Sequence, residues 1–181
     1  TRTMHNLCPL RGAQARDSLA WSKYLDVALD TFVPDADVAF AQHNWPVWGN
    51  EQVARYVGEQ RDLYRFLHDQ TLRMMGNGMT PREIADALMM PSALSRRWHT
   101  RGYYGAIGHN VKAIYQRYLG WYDGNPANLN SLPPEPAATR YVEYMGGADA
   151  ILARARADFE RGEFRWVVEV LNHLVFAQPD N

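Results

Sequence analysis

From Asn50 to the Gly76-Asn77-Gly78 break, the positions Val53, Tyr56, Val57, Leu63, Tyr64, Leu67, Thr71 and Met74 recur in steps that keep them on one face of a helix. Asn50 can cap the start of that helix, and Gly76-Asn77-Gly78 stops it with residues that tolerate a left-handed backbone. An uninterrupted amphipathic stretch of this length commits the chain to a mainly α architecture, because shorter elements must pack against its buried stripe.

The flanking segments follow the same logic. Leu19, Ala20, Tyr24, Val27, Ala28 and Phe32 predict a helix within 13–32 with that face inward. Val38-Ala39-Phe40-Ala41 reads as a buried strand without a partner in the chain, and His43-Asn44-Trp45-Pro46-Val47-Trp48-Gly49-Asn50 as a rigid loop. Thr80-Pro81-Arg82-Glu83 is a capping box with proline at the first helical position, opening a helix through Leu88. A second short helix is expected from Pro91-Ser92 to about His99, and another from His109 to Leu119. Beyond the proline-rich stretch 132–136, helices are expected at 137–145, 148–161 and 163–177. The last two, with small Ala153 and Ala157 and aromatic Phe159 and Phe164, resemble one tetratricopeptide-type hairpin. A lone hairpin cannot bury its own face, so it must pack on the rest of the chain or on a partner.

Composition narrows the function classes. With 181 residues, 46% of them hydrophobic, the chain can bury a real core, about 70% of its unfolded surface at this size. A formal net charge of −1 excludes attachment to nucleic acid through bulk positive charge. The single cysteine, Cys8, excludes an intrachain disulfide framework and a four-cysteine zinc site. No run of 18 uncharged apolar residues occurs, so no membrane-spanning helix is expected. The chain opens on Thr1, and that start together with the unpartnered strand suggests a piece of a longer protein.

Chemistry-bearing residues are few. None of the six histidines is spaced as H-x-H or H-E-x-x-H. His68, His99 and His173 read as structural. His43 stands at a strand end before a Trp-Pro turn, where a metal ligand or a plain loop residue both fit. Arg11 beside Gly12 suits a tetrahedral oxyanion, or is a solvated arginine. The loop 101–110, with Tyr103, Tyr104 and His109, can deliver a proton donor to a leaving group or serve as an aromatic packing corner. Segment 80–98 also has the outline of a helix-turn-helix, with Arg96, Arg97 and Arg101 as phosphate contacts, but the turn lacks the usual glycine.

Taken in order, His5-Asn6-Leu7, Leu10-Arg11-Gly12-Ala13, the His43–Asn50 run, Gln60-Arg61-Asp62-Leu63-Tyr64, His68-Asp69-Gln70-Thr71, Thr80-Pro81-Arg82-Glu83-Ile84-Ala85, Arg101-Gly102-Tyr103-Tyr104-Gly105 and His109 through Pro126 resemble the alkylsulfatases of the metallo-β-lactamase superfamily. The resemblance spans essentially the whole chain. It implies that residues 1–49 are the C-terminal edge of a metallo-β-lactamase-like αββα catalytic domain and that 50–181 form an α-helical dimerisation domain. It implies further that the rest of the catalytic domain lies upstream and a sterol-carrier-like domain downstream.

The implied activity is hydrolysis of alkyl sulfate esters such as dodecyl sulfate, with two zinc ions per site and a homodimeric assembly. By the same resemblance His43 is a zinc ligand, and Asn6 and Arg11 lie near the sulfate. Tyr104 and His109 fall on the leaving-group side as catalytic candidates, and Tyr115 supports the pocket. Some relatives carry histidine where Tyr104 stands, which leaves the general acid open between Tyr104 and His109. The family suggests a bacterial, periplasmic or secreted protein. The 181 residues alone are expected to be inactive. The rival expectation is a non-catalytic α-helical interaction module, and after it a helix-turn-helix DNA-binding protein.

Overall fold

The computed structural model describes residues 2–180. Its contacts divide the chain into two units, one ending at Gly124 and the other starting at Asn125. The boundary expected between 49 and 50 lies inside the first unit.

The first unit is organised on α2 (Asn50–Gly76). Its inward stripe is Val53, Val57, Gln60, Leu63, Tyr64, Leu67, His68 and Thr71, with Tyr56 and Met74 half-buried. The start differs from expectation. Gly49, at φ +85°, is the cap, while the Asn50 amide turns back and donates to the carbonyls of Val33 at 2.6 Å and of Pro34 and Ala36 at 3.2 Å. Asn50 therefore pins the preceding loop, because a carbonyl cluster needs a donor more than a helix start with a glycine cap needs an acceptor.

Packed along α2 is α1 (Ser18–Thr31), which starts where the Asp17 carboxylate accepts from the Ala20 amide at 3.0 Å. The expected inward face is not the one used. Tyr24, Val27 and Phe32 are exposed, and the face against the core is Ser18, Trp21, Ser22, Leu25 and Leu29. Ser22 returns its hydroxyl to the Leu19 carbonyl at 2.8 Å, so it buries as a small, satisfied residue and lets α1 approach α2.

The strand expected at 38–41 is shorter, and it is paired. β1 (Val38–Ala39) runs antiparallel to β2 (Val47–Trp48), with Val38 opposite Trp48 and Ala39 opposite Val47. The partner came from the stretch read as irregular loop: Asn44, at φ +70°, reverses the chain and brings Val47 back beside Ala39. Val47 then joins Val33, Val53 and Val57 in a small apolar cluster.

The capping box of α3 (Pro81–Ala87) is formed as read. The Glu83 amide donates to the Thr80 hydroxyl at 3.4 Å, and the Thr80 amide donates to the Glu83 carboxylate at 2.8 Å. The following helix, α4 (Ser92–Ser95), is a single turn that stops well short of His99. Arg97 adopts an extended backbone and turns its guanidinium onto Glu59 of α2 at 2.8 Å. The helix-turn-helix outline thus lacks a second helix long enough to enter a groove. α5 (Ile107–Leu119) closes the unit over α2 and α3. Met4, Leu7, Leu63, Leu67, Ile84, Val111 and Ile114 form the main core, each of which contributes about 1.5–3 kcal/mol on full burial.

The second unit holds α6 (Pro126–Leu129), α7 (Pro134–Tyr144), α8 (Ala148–Glu160) and α9 (Phe164–Ala177). The hairpin of α8 and α9 is present. Its inward alanine is Ala155, while Ala153 and Ala157 face outward. Val142, Ile151 and Leu174 make a small buried cluster, and Ala138, Ala155 and Val167 are buried as well. That small core leaves Tyr144, Phe159, Phe164, Trp166, Val168 and Val175 exposed. Mainly helical, with one two-stranded ladder among the described residues, the protein has the fold class its sequence implies.

Candidate functional site

The segment Met4–Leu7 is held on every carbonyl. Met4 receives the Gly105 amide at 2.8 Å, and His5 receives the Asn110 side-chain amide at 2.9 Å. Asn6 receives Arg16 Nη1 at 2.7 Å and its neighbour His5 Nδ1 at 2.8 Å, and Leu7 receives the Arg16 backbone amide at 2.8 Å. In return the Met4 amide donates to the His99 carbonyl, the His5 amide to the Tyr64 hydroxyl and the Leu7 amide to Asn110 Oδ1. Asn110 is fully buried and bridges a segment more than a hundred residues away.

Gly105 makes this possible. A Cβ there would stand 2.7 Å from the His5 carbonyl carbon and 2.8 Å from the Met4 oxygen, both rigid backbone. Only glycine lets the loop 101–106 lie flat on Met4–Asn6. Asn6 Oδ1 then accepts from the Ala106 amide at 3.0 Å, and Tyr104 is carried to the same place.

The result is an open cavity of about 250 Å³ lined by His5, Asn6, Pro9, Leu10, Arg11, Arg16 and Tyr104. No carboxylate lines it, and neither Arg11 nor Arg16 has an ion-pair partner among the described residues. Two unneutralised guanidiniums in one recess suit a tetrahedral anion. His5 presents its ring 5.1 Å from Tyr104 and 6.0 Å from Trp21. Burial holds the His5 imidazole below its usual range, the nearby Arg16 and His43 charges push the same way, and the Asn6 carbonyl opposes them. Its short contact to that carbonyl makes Nδ1 the protonated nitrogen, which leaves Nε2 for a ligand.

Three of the six residues singled out from the sequence, Asn6, Arg11 and Tyr104, meet at this cavity. His43 stands beside it, exposed, with its ring stacked 5.3 Å from Tyr104. His109 lies elsewhere: its Nε2 donates to the Cys8 carbonyl at 2.6 Å, so it ties down the loop that carries Arg11. Tyr115 is buried in the main core and does not line the recess, because α5 turns that face toward α2. Sequence reasoning passed over His5, Arg16, Gly105 and Asn110 as site residues. The available signal was slight: each lies within a few residues of one that was chosen.

Of the histidines read as structural, His68 bridges Asp69 at 2.7 Å and the Tyr118 hydroxyl at 2.8 Å, and His99 pairs with Glu59 at 2.7 Å. Among the described residues no group of three or more His, Cys, Asp or Glu side chains is placed to hold a metal, and no helix is long and apolar enough to cross a membrane.

The family model for alkyl sulfatase dimerisation matches residues 80–181. The chain belongs to the alkylsulfatase dimerisation family. It is 58% identical over its whole length to an alkyl/aryl-sulfatase of Saccharomyces cerevisiae, of which it covers 28%. To an (R)-specific secondary-alkylsulfatase of Pseudomonas it is 51% identical over 98% of the chain and 27% of that protein. Among solved structures it matches a stereoselective inverting sec-alkylsulfatase of Pseudomonas with a TM-score of 0.96 at 51% identity, covering 99% of this chain and 28% of that one. The chain thus spans little more than a quarter of these alkylsulfatases, and they come from a yeast as well as from bacteria.

Proposed function

We propose that this chain is the sulfate-binding and dimerisation portion of a zinc-dependent alkylsulfatase, which hydrolyses alkyl sulfate esters such as dodecyl sulfate to alcohol and sulfate. The observation that carries the reading is the convergence of Asn6, Arg11 and Tyr104 on one carboxylate-free recess beside His43. Membership of the alkylsulfatase family supports the reaction class.

In this reading the Arg11 guanidinium neutralises the sulfate oxygens, and the Asn6 side chain, fixed by the Ala106 amide, shapes the same wall. The Tyr104 phenol, in the same recess, hydrogen-bonds the bridging ester oxygen as charge develops there. His109, bound to the Cys8 carbonyl, positions the Arg11 loop, and Tyr115 supports the cavity through the core. His43, an exposed imidazole in the middle of the loop between β1 and β2, fits a zinc site as one ligand of a set completed by residues beyond this chain. The chemistry supplied by bound zinc is activation of a water and neutralisation of sulfate charge. The exposed apolar side chains of the second unit, which its small buried core does not cover, form the dimer contacts.

The test is hydrolysis of dodecyl sulfate by the intact protein with added zinc, set against its His43→Ala variant and residues 1–181 alone. Turnover by the intact protein, joint loss of activity and zinc in the variant and inactivity of the isolated chain are expected. An intact, zinc-loaded protein that leaves dodecyl sulfate untouched would overturn the reading.

A further inference from the structure

The loop that carries His43 has little of its own to hold it. β1 and β2 are two residues each, and the connection 40–46 reverses at one left-handed residue, Asn44. So short a hairpin is marginal by itself. What holds its tip lies outside the ladder. Arg2 Nη1 donates to the carbonyls of Trp45 at 3.2 Å and Pro46 at 3.3 Å. The Arg2 guanidinium carbon stands 5.5 Å from the ring centroids of Trp45 and Trp98 alike. The two indoles stack on each other at 5.0 Å, 23° from parallel.

Trp98 is the fixed member of this cluster. Its neighbours Arg97 and His99 both pair with Glu59 of α2, at 2.8 Å and 2.7 Å. The His99 carbonyl accepts from the Gln60 side-chain amide at 2.8 Å and from the Met4 amide at 2.9 Å. The turn 97–100 and the segment 2–4 are thereby tied to the same turn of α2. Trp98 also faces Tyr103, with ring centroids 5.6 Å apart, while the next residue, Tyr104, stacks 5.3 Å from His43. One indole thus touches both segments that meet at His43: the hairpin tip through Trp45, and the loop 101–106 through Tyr103.

We propose that Trp98 and Arg2 are positioning residues for His43, a clasp that fixes the hairpin tip and the Tyr103-Tyr104 loop in register so that the imidazole is held ready for a metal. This rests on the reading of His43 as a zinc ligand. Both residues act through His43, and neither is itself a ligand or a catalytic residue. A ligand on a loop binds metal only while the loop keeps one arrangement, and partners that orient such a ligand are worth about 10–100-fold in metal affinity. The indole stack and the cation over both rings each favour that one arrangement.

The experiment uses the intact protein and two readouts: the zinc dissociation constant by chelator competition, and the rate at which diethyl pyrocarbonate labels His43 in chelator-stripped protein, followed by mass spectrometry. Trp98→Leu is expected to raise the zinc dissociation constant by about tenfold or more and to speed labelling several-fold, and Trp98→Phe to recover much of both, because it restores a ring. Arg2→Met should act in the same direction, with partial recovery in Arg2→Lys, which restores the cation. Thr80→Ala, which loses the α3 cap outside the clasp, controls for stability and should hold zinc as the wild type does. Unchanged zinc affinity in Trp98→Leu would overturn the inference, as would a loss that Thr80→Ala shares in proportion to its stability. If the wild type holds no zinc, the zinc reading of His43 fails, and the labelling rate decides the clasp: faster labelling in Trp98→Leu upholds it and an unchanged rate overturns it.

Discussion

Asn110 offers the sharpest handle on the site, because one side chain joins segments far apart in sequence. It donates to the His5 carbonyl at 2.9 Å and accepts from the Leu7 amide at 2.8 Å, with no exposure to water. In Asn110→Ala both backbone groups lose their partner, the Leu7 amide in a buried place and the His5 carbonyl in a part-buried one. Each such group costs about 1–3 kcal/mol, so the pair together comes to about 2–6 kcal/mol, against a total stability of about 5–15 kcal/mol for a typical domain.

Asn110→Asp separates the two bonds. As a carboxylate it keeps the acceptor for Leu7 but sets a negative oxygen against the His5 carbonyl. As a neutral acid it regains a donor. Burial and that carbonyl therefore raise the carboxyl above its usual value of about 3.9. The stability this group contributes is fully present below the unfolded value and is lost as pH rises through the higher folded value. Asn110→Asp should be closest to wild type near pH 4 and should fall away toward pH 7, while Asn110→Ala shows no such recovery in acid. Urea unfolding followed by tryptophan fluorescence reads both, since Trp21 stacks 4.4 Å from Tyr64, whose hydroxyl holds His5. An Asn110→Ala protein within about 0.5 kcal/mol of wild type, the level of an ordinary surface change, would show that Met4–Leu7 is not held by this bridge.

Other perturbations follow from the same geometry. Gly105→Ala forces the loop 101–106 off Met4–Asn6, at about 1–3 kcal/mol for the overlap; dodecyl sulfate turnover in the intact protein should fall as Tyr104 and Asn6 separate, and a fully active variant would contradict the close approach. Removing the α1 cap in Asp17→Ala should cost about 1 kcal/mol at pH 7. The Ala20 amide, and after it Arg117, holds the Asp17 carboxyl below its usual value of 3.8, so this contribution is complete above that value and disappears as pH falls through the depressed one. Melting curves of wild type and Asp17→Ala should therefore converge in strong acid; a gap that persists there would assign the loss to packing.

Much of the helical layout is local information. Spacing along α2, the Gly76-Asn77-Gly78 stop and the Thr80–Glu83 box each act within a few residues, and each formed where the sequence placed it. Elements that depend on the rest of the fold came out differently. The inward face of α1 was assigned from hydrophobicity alone, but close approach to α2 selected Ser18 and Ser22 and left Tyr24 and Phe32 outside. The strand at 38–39 found its partner in a loop, because a single left-handed residue, Asn44, reverses the chain.

The site divides along the same line. Asn6, Arg11, Tyr104 and His43 were legible as residue types in a familiar order, since a short segment preserves a motif whatever surrounds it. That His109 turns to Cys8, that Tyr115 joins the core and that Arg16 grips Asn6 were decided by hydrogen bonds and packing between distant parts of the chain. By itself the sequence determined a mainly α chain built on one long helix, because periodicity and capping are local. The tertiary structure alone decided which donors converge on one recess, because a buried carbonyl takes whichever donor the fold brings within reach.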